Sequence, residues 1–211
     1  ETASKEEIEN ELKLIFSCAD LKIPKVVSEI FMIQNKYALL YEKSKGTSPK
    51  EISKDDICSI GIFLKEFHSI TKGKTSTNPK LFLKDELYKL IKKTNHQSFI
   101  ELFNKINIEL KNDGIIHGDL FPDNATFLDK KLSCVFDFIQ SCNGDFLFDL
   151  AVIALSWCNT KEEIIYLLKS YQTDITYESF IPYLKYAGLY YCVTRFLEKK
   201  DFSDLWNKIT F

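Results

Sequence analysis

Ile115-Ile116-His117-Gly118-Asp119-Leu120-Phe121-Pro122-Asp123-Asn124 lies just past the middle of a 211-residue chain, and its reading decides the fold. A short apolar run leads into His117, Gly118 and Asp119, and Asn124 follows that carboxylate five positions later. Apolar runs at 125 to 128 and 132 to 136 then flank Asp129-Lys130-Lys131, the pattern of a hairpin. The second run delivers another acid in Val135-Phe136-Asp137-Phe138. Each half alone is ordinary, because Asp and Asn are common in turns and an acid after a strand is commonplace. Asp123 in particular reads as a turn former. The order of the three groups carries the weight. A tight loop sets Asp119 and Asn124 on the same side of one cleft, and the hairpin returns the chain so that Asp137 faces both.

That order, H-x-D-x-x-x-x-N followed by an acid, is the catalytic-loop pattern of the protein-kinase fold. It predicts an α+β, two-lobed architecture. Phosphoryl transfer explains the residue types. Mg²⁺ prefers hard oxygen ligands in an octahedral shell, and the Asn124 amide oxygen and the Asp137 carboxylate are suited to supply two of them. A separate carboxylate, Asp119, is expected to face the acceptor hydroxyl and accept its proton as the O–P bond forms.

The run from His117 to Asn124, with Gly118 after the histidine, resembles the signature of the aminoglycoside phosphotransferase and choline kinase superfamily. Phe121-Pro122-Asp123 is particularly similar to the bacterial homoserine kinases. So are Phe136-Asp137-Phe138, Ser141-Cys142-Asn143, Phe148-Asp149-Leu150-Ala151 and Trp157-Cys158. Upstream Ile60-Gly61, Leu64 and Phe67-His68 look like a helix of these enzymes, and Gly188-Leu189 with Thr194-Arg195-Phe196 resembles their late helix. The resemblance implies an ATP- and Mg²⁺-dependent enzyme that phosphorylates a small-molecule hydroxyl, L-homoserine first among acceptors, with an aminoglycoside or choline as the alternative.

Carried over by position, the resemblance implies a catalytic base at Asp119 and metal ligands at Asn124 and Asp137. It implies a structural His117 and a loop-bracing Asp149. Leu39, Leu40, Tyr41 and Glu42 correspond to a hinge that offers backbone groups to adenine. Glu11 corresponds to the helix glutamate that pairs with an ATP-binding lysine, with Glu7 one turn away as the alternative. Arg195, the only arginine in the chain, suits a substrate carboxylate bidentately. Its alternative is a structural ion pair to Asp145 or Asp149. Trp157 is a candidate wall of the acceptor pocket or else a core residue, and Tyr186, Tyr190 and Tyr191 offer a possible aromatic cage for choline. Kinase-fold enzymes begin with a Gly-rich strand pair and a strand carrying the lysine. Here no glycine precedes Gly46 and nothing before Glu11 has strand character. The N-terminal lobe is therefore expected to be incomplete, and a non-catalytic kinase-fold protein remains the alternative.

Outward from this centre, Ser4 and Glu7 form a capping-box pattern ahead of a helix over 4–19. Lys25 to Ile33 and Lys36 to Tyr41 read as a hairpin around Gln34-Asn35. Residues 1–41 are expected to be the remnant of the nucleotide lobe and 42–211 the helical catalytic and substrate lobe. Ile57, Ile60, Leu64 and Phe67 mark an amphipathic helix over 53–70, followed by a Gly/Ser/Thr/Asn loop over 72–79. Helices are expected at 80–94, 97–112, 146–158, 161–171 and 177–199.

Bulk composition excludes other classes. Hydrophobic residues make up 45%, enough for a sizeable core, while 28 basic against 30 acidic residues leave a net charge of -2. That balance argues against a nucleic-acid partner. No apolar run approaches the roughly 20 residues of a membrane-spanning helix, and the charged start lacks a secretory signal. Six scattered cysteines with no C-x-x-C pair read as reduced thiols of a cytoplasmic protein.

Overall fold

The computed structural model describes residues 3–78 and 82–210. Helix α1 spans Lys5–Ser17, and its start is the expected capping box: the Ser4 hydroxyl accepts from the Glu7 amide while the Glu7 carboxylate accepts from the Ser4 amide. Strands β1 (Phe31–Ile33) and β2 (Lys36–Ala38) form an antiparallel hairpin. Gln34 and Asn35 turn it with φ of 50° and 61°, the conformation that tight hairpins demand at both central residues. Pairing resumes further out, where the Glu42 amide donates to the Lys25 carbonyl at 2.7 Å. The strands are shorter than expected because the Leu40 amide turns to the Ser28 hydroxyl instead of a backbone carbonyl.

Helix α2 (Lys54–Thr71) is capped by a reciprocal Ser53–Asp56 pair. Helices α3 (Lys84–Thr94) and α4 (Gln97–Lys105) follow, while Pro79, Lys80 and Leu81, expected within the loop and the third helix, lie outside the described residues. The helix expected to reach residue 112 stops at Lys105. Beyond it Ile106 and Ile108 are buried while Asn107 and Glu109 are exposed, an alternation that only an extended chain produces.

The central loop then unfolds as strand β3 (Gly114–Ile116), a 3-10 turn (Pro122–Asn124) and a hairpin of β4 (Ala125–Leu128) and β5 (Lys131–Val135). Strand β6 (Cys142–Gly144) returns to pair antiparallel with β3. Helices α5 (Phe146–Trp157), α6 (Lys161–Tyr171), α7 (Tyr177–Leu197) and α8 (Ser203–Ile209) complete the chain. Helix α5 is buried on every face from Phe148 to Leu155, as a helix apolar all round must be. Helices α2, α6 and α7 pack around it or one another. This helical mass carries the β3–β6 ribbon, and the ribbon presents the loop from His117 to Asn124. No helix among the described residues is long and apolar enough to cross a membrane.

Candidate active site

The loop after β3 is held almost entirely by side chains from elsewhere. Both oxygens of the fully buried Asp149, on α5, accept backbone amides: Oδ2 that of His117 and Oδ1 that of Gly118, each at 2.8 Å. The Tyr191 phenol, from α7, donates to the Gly118 carbonyl. The Trp157 indole donates to the Leu120 carbonyl at 2.9 Å. Asn124 closes the loop from within, its Nδ2 donating to the Asp119 carbonyl at 2.7 Å and to the Asp119 carboxylate at 3.3 Å. Gly118 itself sits at φ 82°, and a Cβ there would lie 2.6 Å from the Phe82 ring. Glycine is required on both counts.

Two histidines support this frame without facing a cavity. His117 donates from Nε2 to the Phe136 carbonyl at 3.1 Å, while its Nδ1 accepts the Asp119 amide at 3.3 Å. Only the neutral Nε2–H tautomer satisfies both bonds, and burial keeps its pKa low. His68, on α2, donates to Asp149 Oδ2 at 2.9 Å and accepts the Tyr171 phenol at 2.7 Å. Burial likewise lowers its pKa. Burial acts to raise the Asp149 pKa, but the hydrogen bonds from His68 and from the Gly118 amide outweigh it and hold the group low.

Two cavities flank the loop. One, of about 540 Å³, is lined by Glu11, Tyr37, Leu39, Tyr41, Phe136 and Asp137 among others. The other, of about 710 Å³, is lined by Asp119, Phe121, Asp123, Tyr190, Tyr191 and Arg195 among others. Burial pushes the Asp119 pKa up to about 7, with Asp137 and then Asp123 adding to the rise and Tyr191 and Asn124 opposing it. Burial also raises Glu11, which accepts the Tyr41 phenol at 2.8 Å and feels Asp137. Asp137 stands at φ 67°, a left-handed backbone that a non-glycine residue adopts at some strain and that clusters at functional sites. Asp137 thus repels both Glu11 and Asp119, and the Asn124 side chain lies against Asp119. Hard oxygen donors with surplus negative charge fit Mg²⁺.

Several expectations need correction. Trp157 is 1% exposed and lies beneath the loop, not in the wall of the cavity that Asp119 lines. Leu40 is 53% exposed and lines neither cavity, and its own backbone groups are engaged within the hairpin, the amide donating to the Ser28 hydroxyl and the carbonyl accepting from the Val27 amide. Tyr186 is buried and donates to the Phe82 carbonyl, which leaves Tyr190 and Tyr191 as the cavity's tyrosines. Arg195 pairs with Asp204 at 3.0 Å and lies over the Phe121 ring at 5.9 Å. Asp145, one acid considered as its partner, is instead the N-cap of α5, and Asp149 holds the loop. The part of Tyr171 escaped sequence reading altogether, since its bond to His68 spans 103 positions.

A kinase-like α+β fold with Asp119 and Asn124 in one loop and Asp137 just past the β4–β5 hairpin marks a phosphotransferase. The chain belongs to the phosphotransferase enzyme family (APH), whose pattern matches residues 1–183. A homoserine kinase of Azorhizobium caulinodans is 56% identical over 45 residues, which is 21% of this chain and 14% of the relative. Another, from Bartonella henselae, is 30% identical over 120 residues, covering 46% of this chain and 38% of the relative. The aligned stretches therefore span well under half of these relatives' own lengths. Among solved structures, the choline kinase LicA from Streptococcus pneumoniae superposes with a TM-score of 0.68 at 18% identity, covering 99% of this chain and 82% of that one. The GDP complex of wild-type aminoglycoside 2'-phosphotransferase-IIIa gives 0.68 at 16% identity, covering 97% and 80%. At such identities these two establish the fold alone.

Proposed function

We propose that the protein transfers the terminal phosphoryl group of ATP to the hydroxyl of L-homoserine, yielding O-phosphohomoserine for threonine biosynthesis. The observation that carries this reading is the placement of Asp119, bonded to Asn124, in the wall of a cavity that also holds Arg195. Glu11 and Asp137 line the cavity on the other side of the loop. In this reading residues 1–41 belong to the nucleotide lobe and 42–211 to the catalytic and substrate lobe. Leu39 and Tyr41 bound the adenine site, and Asn124 and Asp137 hold Mg²⁺, which when bound offsets the charge of the phosphates.

The chain's own groups do the rest. Asp119 orients the acceptor hydroxyl and accepts its proton. Its raised pKa suits that task, because a base works best when its pKa lies near the working pH. Asp149 and His117 keep the loop in position. Arg195 binds the acceptor carboxylate, with Phe121 and Asp204 holding the guanidinium. The partner is a small amino alcohol, and ATP chemistry with six unbridged thiols suits a cytoplasmic setting.

A second acceptor class keeps a specific observation in its favour. Tyr190, Tyr191, Phe82 and Phe121 share the acceptor-side cavity, and aromatic rings suit choline's quaternary ammonium. Mass spectrometry after incubation with Mg²⁺-ATP and L-homoserine, choline or kanamycin in parallel separates these readings. Phosphohomoserine alone is the expected product. Phosphocholine alone would overturn the acceptor assignment, and no product from any acceptor would favour a non-catalytic kinase-fold protein.

A further inference from the structure

The polar loop between α2 and α3 has no part in the chemistry above, yet its side chains and backbone make an unbroken set of bonds between the two halves of the site. Asn143, 4% exposed at the centre of β6, fixes its base. Asn143 Nδ2 donates to the Lys74 carbonyl at 2.8 Å, and its Oδ1 accepts the Ser76 amide at 2.8 Å. From that base the loop reaches α1. The Thr77 hydroxyl donates to Asn10 Oδ1 at 2.6 Å, and Asn10 Nδ2 donates to Asn78 Oδ1 at 2.8 Å. Asn78 then turns the other way, its Nδ2 donating to the Ser141 carbonyl at 2.9 Å.

Asn10 is the residue before Glu11, and Ser141 lies four residues after Asp137. We infer that Asn10, Thr77 and Asn78 form a clasp that sets the position of Glu11 relative to Asp137, which makes all three positioning residues for the nucleotide side of the site. The need for such a device follows from the charges. Glu11 and Asp137 repel each other across the cavity they share, so neither holds the other in place, and the bonds that Glu11 accepts from the Tyr41 phenol and the Phe138 amide act on its carboxylate rather than on the direction of α1. Helix α1 joins the main core through Leu14, Ile15 and Cys18 near its C-terminal end, and in its N-terminal half only Ile8 adds a buried apolar side chain, outside that cluster. A pair of amide bonds at Asn10 fixes the direction in which the next side chain points. The inference rests on the proposed nucleotide role of Glu11 and Asp137, but the clasp itself is testable without it.

The two faces of Asn78 can be cut separately. Asn10→Ala removes the tie to α1. Asn78→Asp keeps an acceptor for Asn10 and removes the donor to Ser141. Asn78→Ala removes both. Hydrogen–deuterium exchange followed by peptide mass spectrometry reads the clasp directly. Asn10→Ala is expected to speed exchange in residues 5–17 about tenfold, Asn78→Asp in 139–143, and Asn78→Ala in both, with α5 unchanged. In steady state, Asn78→Ala is expected to raise KM for Mg²⁺-ATP about tenfold while leaving the acceptor KM as it was. Unchanged exchange in α1 for both alanine variants, or a rise that extends through α5, refutes the clasp. Changed exchange with an unaltered nucleotide KM refutes the positioning role. A wild-type protein with no phosphotransfer activity refutes the proposed function instead, and the exchange data then decide the clasp alone.

Discussion

At the scale of single residues, the site works by contrast between groups that are charged and groups kept neutral. Asp119 stands partly buried among acids, and its pKa is pushed up to about 7. Replacing it with Asn preserves size and the bond from Asn124 while removing the proton acceptor. Turnover is expected to fall by about a hundred- to ten-thousandfold with the melting temperature held, since a positioned base contributes on that order. Near-normal turnover in Asp119→Asn would remove Asp119 from its assigned role. His68 gives a pH prediction of its own. It is buried and neutral between Tyr171 and Asp149, and burial holds its folded pKa below the unfolded value of about 6.5. The unfolded chain therefore takes up the proton first as pH falls. Its contribution is complete above about pH 6.5 and declines as pH falls toward the folded pKa. Urea titrations at pH 7.5 and 5.5 are expected to show wild type losing more stability than His68→Gln; equal losses would show that the His68 pKa is the same folded and unfolded, and a smaller loss in wild type that His68 is charged in the fold.

At the scale of elements, what could be read in the sequence was local. The capping box at Ser4, the Gln34-Asn35 turn and the periodicity of α2 each lie within a few residues, and the folded chain forms them. The misread end of α4 has the same origin. The alternation of Ile106 and Ile108 was on display, but it adjoins a genuine helix whose period dominates the window. The β3–β6 ribbon was not legible, because it pairs Gly114 with Gly144, thirty positions apart, with three-residue strands. Nor was α8, which has no side-chain cap and only seven residues. Of the site residues, the loop's own order was legible, while Tyr171, Asn10 and Asn78 act through bonds that only folding creates. The α7–α8 contact offers a test at this scale. A Cβ on Gly188 would lie 2.4 Å from Ile209 Cγ2, so Gly188→Ala is expected to destabilise the fold by about 1–3 kcal/mol. Ile209→Ala alone opens a cavity, and the double variant is expected to lose less than the sum of the singles, because the added methyl occupies the vacated space. Strict additivity in denaturant midpoints would show that the two side chains do not share that space.

For the whole molecule, the charges at the site bind the stability of the fold to its proposed ligands. Glu11, Asp119, Asp123 and Asp137 gather around the two cavities, and besides the cost of burial the repulsion of Asp137 on Glu11, and of Asp137 and Asp123 on Asp119, destabilises the free protein. In the proposed function, a divalent cation carried in with a nucleotide would relieve that repulsion and would bind the folded chain alone. The nucleotide by itself brings more negative charge to the same place and should gain little. Binding to the folded state at a hundredfold excess over Kd adds about 2.7 kcal/mol, which for a chain of this size corresponds to a rise in Tm of about 5 to 10 °C. Mg²⁺ and ATP together are therefore expected to raise Tm in that range, ATP with a chelator to leave it near the free value, and Asp137→Ala to abolish the Mg²⁺-dependent part. The variant alone should be no less stable than wild type in the absence of ligand, since one source of repulsion has gone. A shift of the same size with and without Mg²⁺ would place the nucleotide elsewhere on the molecule, away from Asn124 and Asp137. A Mg²⁺-dependent shift that survives in Asp137→Ala would keep the nucleotide but reassign the metal.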